Sequence, residues 1–343
     1  VAKRMENGNP NVVSYLIKEG YLNYLNNEEI ELIVKVLNFD LLKSLNTHYE
    51  RKFGNIGIFR KTFLKNEEIE NIKKIEKILS LTFRPLEQGC EEKDVVSLIK
   101  DKKPQIYFIP EDMLISSIFF CWIDSIKDIS EPLMNFNQLK RFYFISTKLH
   151  QIPDFIGKFK SLRSLGLYYP FTNRQNVSEG IRIPETFGNL SNLEKLDLYF
   201  NVNSFPNSFK NLKSLKELKL RRIVDPSELS SLAILKNLKI LKISNNNLDK
   251  IPESIGNLEQ IKILDLSHNN IEKLTPTLLK LKSLEELYLQ ENKLKSLPEK
   301  IRFLSKLEIL DLSHNFLQSL PKSIGSLNKL KILYLNSNSL ECL

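Results

Sequence analysis

The chain has 343 residues, 42% of them hydrophobic and 27% charged, and no run of eighteen or more apolar residues, so no bilayer-spanning helix is predicted. The net charge of +9 is uneven: residues 1–112 hold 18 Lys and Arg against 18 Asp and Glu, and the whole excess lies from residue 113 onward. With no RNA- or DNA-binding motif beside it, that mild excess reads as a Lys-rich solvated face, and nucleic acid is not an expected partner.

The chain opens Val1-Ala2-Lys3-Arg4 without an initiator Met or an apolar signal core, and it stops at Leu343 without a distinct cap, which together suggest a piece of a longer protein. Asn11–Glu19, Asn27–Leu45 and Asn66–Leu81 each place apolar residues at helical spacing, and Asn27 and Asn66 stand before acidic first turns as N-caps would. Residues 1–112 are therefore expected to form a helical domain that caps whatever follows. The phrase NGNPNVVSYLIKEG looks like the helix of an ankyrin repeat, but a single copy cannot build that array. Cys90, Cys121 and Cys342 are far apart and in no metal-ligand spacing, so neither a disulfide framework nor a zinc site is predicted. Without Cys-rich flanking caps, a cytoplasmic or a bacterial surface or secreted setting is expected.

From residue 113 the sequence repeats itself. LKILKISNN, IKILDLSHN, LEELYLQEN, LEILDLSHN and LKILYLNSN begin at Leu238, Ile261, Leu284, Leu307 and Leu330, a period of 23 residues. Earlier copies begin at Leu215, Leu193, Leu162 and Leu139, and a degenerate one fits Ser116, Phe119, Cys121, Asp124, Ile126 and Ile129, giving about ten repeats. The one long step, between Leu162 and Leu193, contains an insertion at Pro170–Arg182. In each copy the Leu-x-Leu pair predicts a strand with one buried face, and successive strands are expected to stack in parallel. Asn246, Asn269, Asn292, Asn315 and Asn338 occupy the ninth position, where a side-chain amide can bond backbone groups left unpaired by a bend; the ladder is expected to fail at Thr147, Pro170 and Ile223. The returning limb, as in IPESIGNL and LPKSIGSL, sets Pro at the entry to a short helical turn.

This pattern closely resembles the bacterial leucine-rich-repeat proteins with 23-residue LPxxIGxL repeats, of the kind abundant in Leptospira, and is similar to intracellular repeats of plants. The resemblance covers residues 113–343. It implies an α/β leucine-rich-repeat solenoid, a curved parallel sheet with short helical turns on its convex side, that serves as a protein-recognition scaffold.

The register also predicts which side chains face outward on the sheet. The central x runs through Phe120, Tyr143, Gly166, Asp197, Lys219, Lys242, Asp265, Tyr288, Asp311 and Tyr334, and Trp122, Tyr168, Tyr169, Tyr199, Phe200, Arg221, Arg222, His268 and His314 come just after the strands. Aromatic and Arg side chains concentrate in the earlier repeats, as in binding hot spots. Phe120, Trp122, Tyr143, Tyr168, Tyr169, Asp197, Tyr199, Phe200, Lys219, Arg221, Arg222 and Lys242 form the candidate partner-binding patch, with cross-strand packing as the competing explanation for its tyrosines.

No Gly-rich phosphate loop, paired His ligands or nucleophile elbow occurs, so neither catalysis nor a cofactor or metal is expected. The phrase Asp-Leu-Ser-His-Asn at 265–269 and 311–315 contains the residue types of a hydrolytic triad, but neighbours on one strand cannot form its chain of hydrogen bonds. Two functional readings stay open: a stand-alone interaction protein, including a bacterial factor that meets host proteins, or a sensor segment of a larger signalling enzyme such as a Roco-like GTPase or an effector ligase. A structural spacer is the third.

Overall fold

In a computed structural model of the chain, residues 56–59, 62–85, 104–111, 114–121, 123, 129–145, 151–169, 180–223 and 225–341 are described. They fall into two compact units that divide between Phe142 and Tyr143. The helices expected at 11–19 and 27–45, the ankyrin-like phrase, Thr147, Pro170 and most of the insertion lie outside the described residues.

In the first unit, β1 (Ile56–Phe59) and β2 (Thr62–Lys65) form an antiparallel hairpin that leads into α1 (Asn66–Leu79). The helix matches the apolar period, burying Ile69, Ile72 and Ile75. Its cap is not Asn66, which is the first helical residue; Lys65 precedes it in extended conformation without a capping side-chain bond, and Ser80 closes the helix in the left-handed region at φ 53°. β3 (Phe83–Pro85) and β4 (Gln105–Glu111) pair in parallel, and β4 pairs antiparallel with β5 (Leu114–Cys121). The expectation of a helical region over residues 1–112 is thus corrected at β1 to β4, whereas β5 falls where the degenerate repeat is expected: runs as short as QIYFIPE have no helical period to read, and their β-branched and aromatic content favours a pleated surface. A short α2 (Ser130–Met134) follows. Cys121 is a buried free thiol, and burial pushes its pKa up to about 12.

Glu68 ties α1 to β5 by accepting the Ile115 N–H at 2.8 Å while only 5% exposed. Burial pushes its carboxyl up to about 7 from an ordinary 4.5, against the pull of that hydrogen bond. Between those pH values the folded chain holds a proton that the unfolded chain has lost, so stability falls as pH rises through this window. Glu68→Gln keeps an acceptor for Ile115 and carries no charge. It is expected to leave the urea midpoint near its original value at pH 5 and to raise stability at pH 8 by about 1–3 kcal/mol. An unchanged difference between the two pH values in the variant would contradict this assignment.

The second unit is a stack of chain turns, each contributing one strand. β6 (Arg141–Ile145) crosses into it, followed by β7 (Ser164–Tyr168), β8 (Lys195–Val202), β9 (Glu217–Ile223), β10 (Ile240–Lys242), β11 (Ile263–Asp265), β12 (Glu286–Tyr288), β13 (Ile309–Asp311) and β14 (Ile332–Tyr334). Sheet order follows chain order, the paired strands from β7 to β14 run parallel, and Leu241, Leu264, Leu287, Leu310 and Leu333 lie in register. The repeat-initiating residues Leu162, Leu193, Leu215, Leu238, Ile261, Leu284 and Leu307 are all buried beneath it.

The Asn ladder stitches each turn to the one before. Asn292 accepts the Ile271 N–H at 3.0 Å and donates to the Leu266 and Leu289 carbonyls at 3.0 Å each; Asn315 treats Leu294, Leu289 and Leu312 in the same way. The residue before each ladder Asn bends the chain in the left-handed region: Asn245, His268, Glu291, His314 and Ser337 have φ between 53° and 59°. Ile223 holds the ninth position without an amide and is buried among apolar side chains, yet its own N–H is taken by Asn246 at 2.8 Å. Asn201 also stands at a ninth position and is buried there, a place the repeat spacing marks but the expected ladder omits.

On the return limb, Pro184, Pro206, Pro252, Pro298 and Pro321 each precede a five-residue 3₁₀ turn, and their carbonyls accept the first turn bonds, as from Ile255 to Pro252 at 3.1 Å. Gly256 lies against the next turn so closely that a Cβ there would meet the Thr277 carbonyl oxygen at 2.4 Å. Glu185 caps the following turn through the Asn207 and Ser208 N–H groups, and hydrogen bonding from Ser208 and Asn207 holds its carboxyl below the usual range.

Candidate functional site

The strands of the second unit turn alternate side chains outward, and in the earlier repeats these side chains form a connected ridge. It begins with Tyr143 on β6, whose hydroxyl lies 2.7 Å from the Ser164 hydroxyl and whose ring stacks on Tyr168 at 6.5 Å. Tyr168 donates to Asp197 Oδ2 at 2.8 Å and meets Tyr199 edge-on at 6.5 Å. Over the Tyr199 ring sit two guanidinium groups, Arg221 at 5.1 Å and Arg222 at 5.3 Å from its centroid. Such contacts between cation and ring faces hold flexible Arg side chains in place.

The structure sorts the candidate residues unevenly. Tyr168, Tyr169, Asp197, Tyr199, Lys219, Arg222 and Lys242 are partly exposed and Arg221 is exposed, all in the second unit. Trp122 lies outside the described residues. Phe120, Tyr143 and Phe200, expected at the surface, are corrected to buried positions of at most 1% exposure. Phe120 belongs to the first unit, where its ring packs edge-on against Phe142 at 5.9 Å. Tyr143 lies across Gly166, where a Cβ would come within 2.3 Å of its ring, so the glycine makes room for the tyrosine to lie flat under Tyr168. Phe200 does not follow its strand: β8 runs on to Val202, and by alternation Phe200 joins Leu196 and Leu198 on the buried face. That extension exists because the end of the insertion returns beside it, with Ile181 bridging Val202 in parallel and its N–H donating to the Asn201 carbonyl at 2.6 Å.

Sequence spacing also passes over two outward carboxylates that share the face of the central x by alternation. Glu217 on β9 binds Lys219 at 3.0 Å and Lys195 at 3.7 Å, and Glu286 on β12 accepts the Tyr288 hydroxyl at 2.8 Å. Tyr288 stands between Asp265 and Asp311 in register. Burial, the bond to Glu286 and the neighbouring carboxylates push its hydroxyl up to about 12.

The Asp-Leu-Ser-His-Asn phrases are structural. Asp265 Oδ1 accepts both the N–H of Ser267 at 3.0 Å and its hydroxyl at 2.6 Å, Asp311 does the same for Ser313, and Asn269 and Asn315 belong to the ladder. His268 is exposed and pairs with Glu291 at 2.8 Å, so each Ser hydroxyl is turned to Asp and away from His. Among the described residues no group of three or more His, Cys, Asp or Glu side chains is placed to hold a metal ion, and no described helix is long and apolar enough to cross a membrane.

Comparison with known proteins identifies the architecture. The family model described as leucine rich repeat matches residues 229–271, 259–303 and 282–340. Among solved structures, a leucine-rich-repeat protein of Leptospira interrogans is 27% identical, covering 62% of this chain and 53% of its own, with a TM-score of 0.54. InlP of Listeria monocytogenes is 21% identical over 78% of this chain and 70% of its own, with a TM-score of 0.53. The ectodomain of the Arabidopsis thaliana receptor kinase GASSHO1/SCHENGEN3, solved in complex with Casparian strip integrity factor 2, is 22% identical over 80% of this chain and 33% of its own, with a TM-score of 0.51. The chain thus spans about half the length of the Leptospira protein it matches. No curated protein sequence matches it.

Proposed function

We propose that this leucine-rich-repeat solenoid is a protein-recognition scaffold of the bacterial 23-residue type, and that it holds a protein or peptide partner on the concave, outward face of its sheet. The repeat fold is commonly an interaction module and generally a non-catalytic one, and the Arabidopsis receptor was solved with its factor bound. In this reading residues 1–112 cap the array, residues 113–343 supply about ten repeats, and the chain itself carries no catalysis.

The observation that carries the proposal is the ridge from Tyr168 through Tyr199 to Arg221 and Arg222. Packed rings with guanidinium groups fixed above them present a large area at little further loss of side-chain freedom, the usual make-up of a binding hot spot. A merely structural ridge would not need an exposed Arg221 at its end.

Selection of a displayed random-peptide library against the full chain supplies test partners. Replacing Tyr199 and Arg221 with Ala is expected to weaken the selected binders at least about tenfold, because hot-spot truncations remove about 2 kcal/mol or more. Lys300→Ala, on a 3₁₀ turn of the opposite side, is expected to leave them unchanged. The reverse pattern contradicts the assignment.

A further inference from the structure

The outward face of the second unit is divided by charge. On β8 to β10 it carries Lys195, Lys219, Arg221, Arg222 and Lys242 against two carboxylates, Asp197 and Glu217, and Glu217 is paired with Lys219 and Lys195, so cations are in excess. Strands β11 to β13 reverse the sign. They contain Asp265, Glu286 and Asp311 and no Lys or Arg within the strands; these carboxylates are held by the neutral donors Ser267, Tyr288 and Ser313, which leave their charge in place. The two halves adjoin, because Lys242 on β10 is the in-register neighbour of Asp265 on β11.

We infer that the partner is an extended segment of bipolar charge that crosses the strands, its acidic residues over β9 and β10 and its basic residues over β11 to β13. This rests on the reading of the outward face as the binding surface and adds what that surface selects. Neighbouring strands lie about 4.8 Å apart, so the centres of the two patches are separated by about 12 Å, or about four residues of extended chain. A segment of one sign meets repulsion over half of this surface, whereas one with its charges in two blocks at that spacing meets attraction throughout. The mild positive excess of the whole chain does not predict this, because a net charge carries no position; the register of the strands is what separates the signs.

The test uses synthetic fluorescein-labelled peptides and the full chain, with fluorescence anisotropy at about 20 mM salt, where the screening length is about 20 Å. One peptide carries a block of about three Asp and a block of about three Lys joined by about one Gly, so that the block centres lie about four residues apart, as the strand spacing requires. A second has the same composition with Asp and Lys interleaved, and a third carries the Asp block alone. The block peptide is expected to bind at least about tenfold tighter than the interleaved one. Asp265→Asn, Glu286→Gln and Asp311→Asn together keep acceptors for Ser267, Tyr288 and Ser313 and remove the charges of the three strands. The triple substitution is expected to abolish that preference while binding the Asp-only peptide at least as well as the original chain does. Equal binding of the block and interleaved peptides, or a preference that survives the triple substitution, overturns the inference. Those results are distinct from failure of the binding face itself, which shows as selected partners that are indifferent to Tyr199→Ala with Arg221→Ala.

Discussion

Replacing Asn292 with Ala is expected to destabilise the repeat unit by about 2–4 kcal/mol. The side chain is 5% exposed and links consecutive turns of the chain through Ile271, Leu266 and Leu289. Its loss is not felt equally by these partners. The Leu266 carbonyl still receives the Asn269 amide and the Leu289 carbonyl still receives Asn315, each at 2.9 Å. Among the described residues the Ile271 N–H has only the Asn292 oxygen, so the main penalty is one buried donor left without a partner, about 1–3 kcal/mol, with the rest from the weakened carbonyl bonds. Asn292→Asp should be at least as damaging: the carboxylate can still accept from Ile271, but it sets a buried negative charge against the Leu266 and Leu289 carbonyl oxygens, to which it cannot donate. Asn257→Ala, at an exposed position, should stay within about 0.5 kcal/mol of the original. Chemical denaturation of the three variants measures the comparison, and a midpoint for Asn292→Ala equal to that of Asn257→Ala would contradict the ladder's role.

Gly256→Ala is the second large effect, expected to cost about 1–3 kcal/mol through overpacking. The atom in the way is a backbone carbonyl, Thr277 O at 2.4 Å from the added methyl, with the Thr277 carbonyl carbon at 2.8 Å, so relief requires the two turns to move apart. Side-chain rotation cannot supply it. Gly325 occupies the same place in its repeat, and a methyl added there meets no atom within 4 Å. At that position Ala is expected to be neutral or to stabilise by up to about 1 kcal/mol, since it lowers the freedom of the unfolded chain. Thermal unfolding of the two variants separates steric stacking from glycine flexibility: equal losses at both positions would show that the backbone conformation, and not the neighbouring turn, demands glycine.

The later repeats are legible in the sequence because every feature that defines them is local. Leu238, Leu241 and Ile243 declare the buried face, Asn246 the bend and Pro252 with Gly256 the return, all within one period. The earlier repeats depend on contacts that the period does not encode. Phe200 is expected outside if its strand ends on schedule; only the return of the insertion at Ile181, about twenty residues upstream, prolongs β8 and turns Phe200 inward. Tyr143 is expected outside because of its register, and Gly166, a glycine in a strand at the matching position of the next repeat, is the available sign that something large lies over it. In the first unit α1 is readable from its spacing and β5 falls on the degenerate repeat, whereas β4 is not distinguishable from helix by apolar content alone. The charge division of the outward face lies within reach of the sequence: the central column already runs Lys219, Lys242, Asp265 and Asp311, and Glu286, two residues before the central x of its strand, adds to the acidic side.

If the outward face of the sheet, and no other surface of the second unit, receives the partner, crosslinking must be confined to that side. A benzophenone photocrosslinker placed singly at Lys242, beside the aromatic ridge, and at Lys300, on the opposite turns, tests this with the selected partners. Crosslinking from position 242 with little from position 300 is the predicted result, and efficient crosslinking from position 300 with none from position 242 would contradict binding on the outward face.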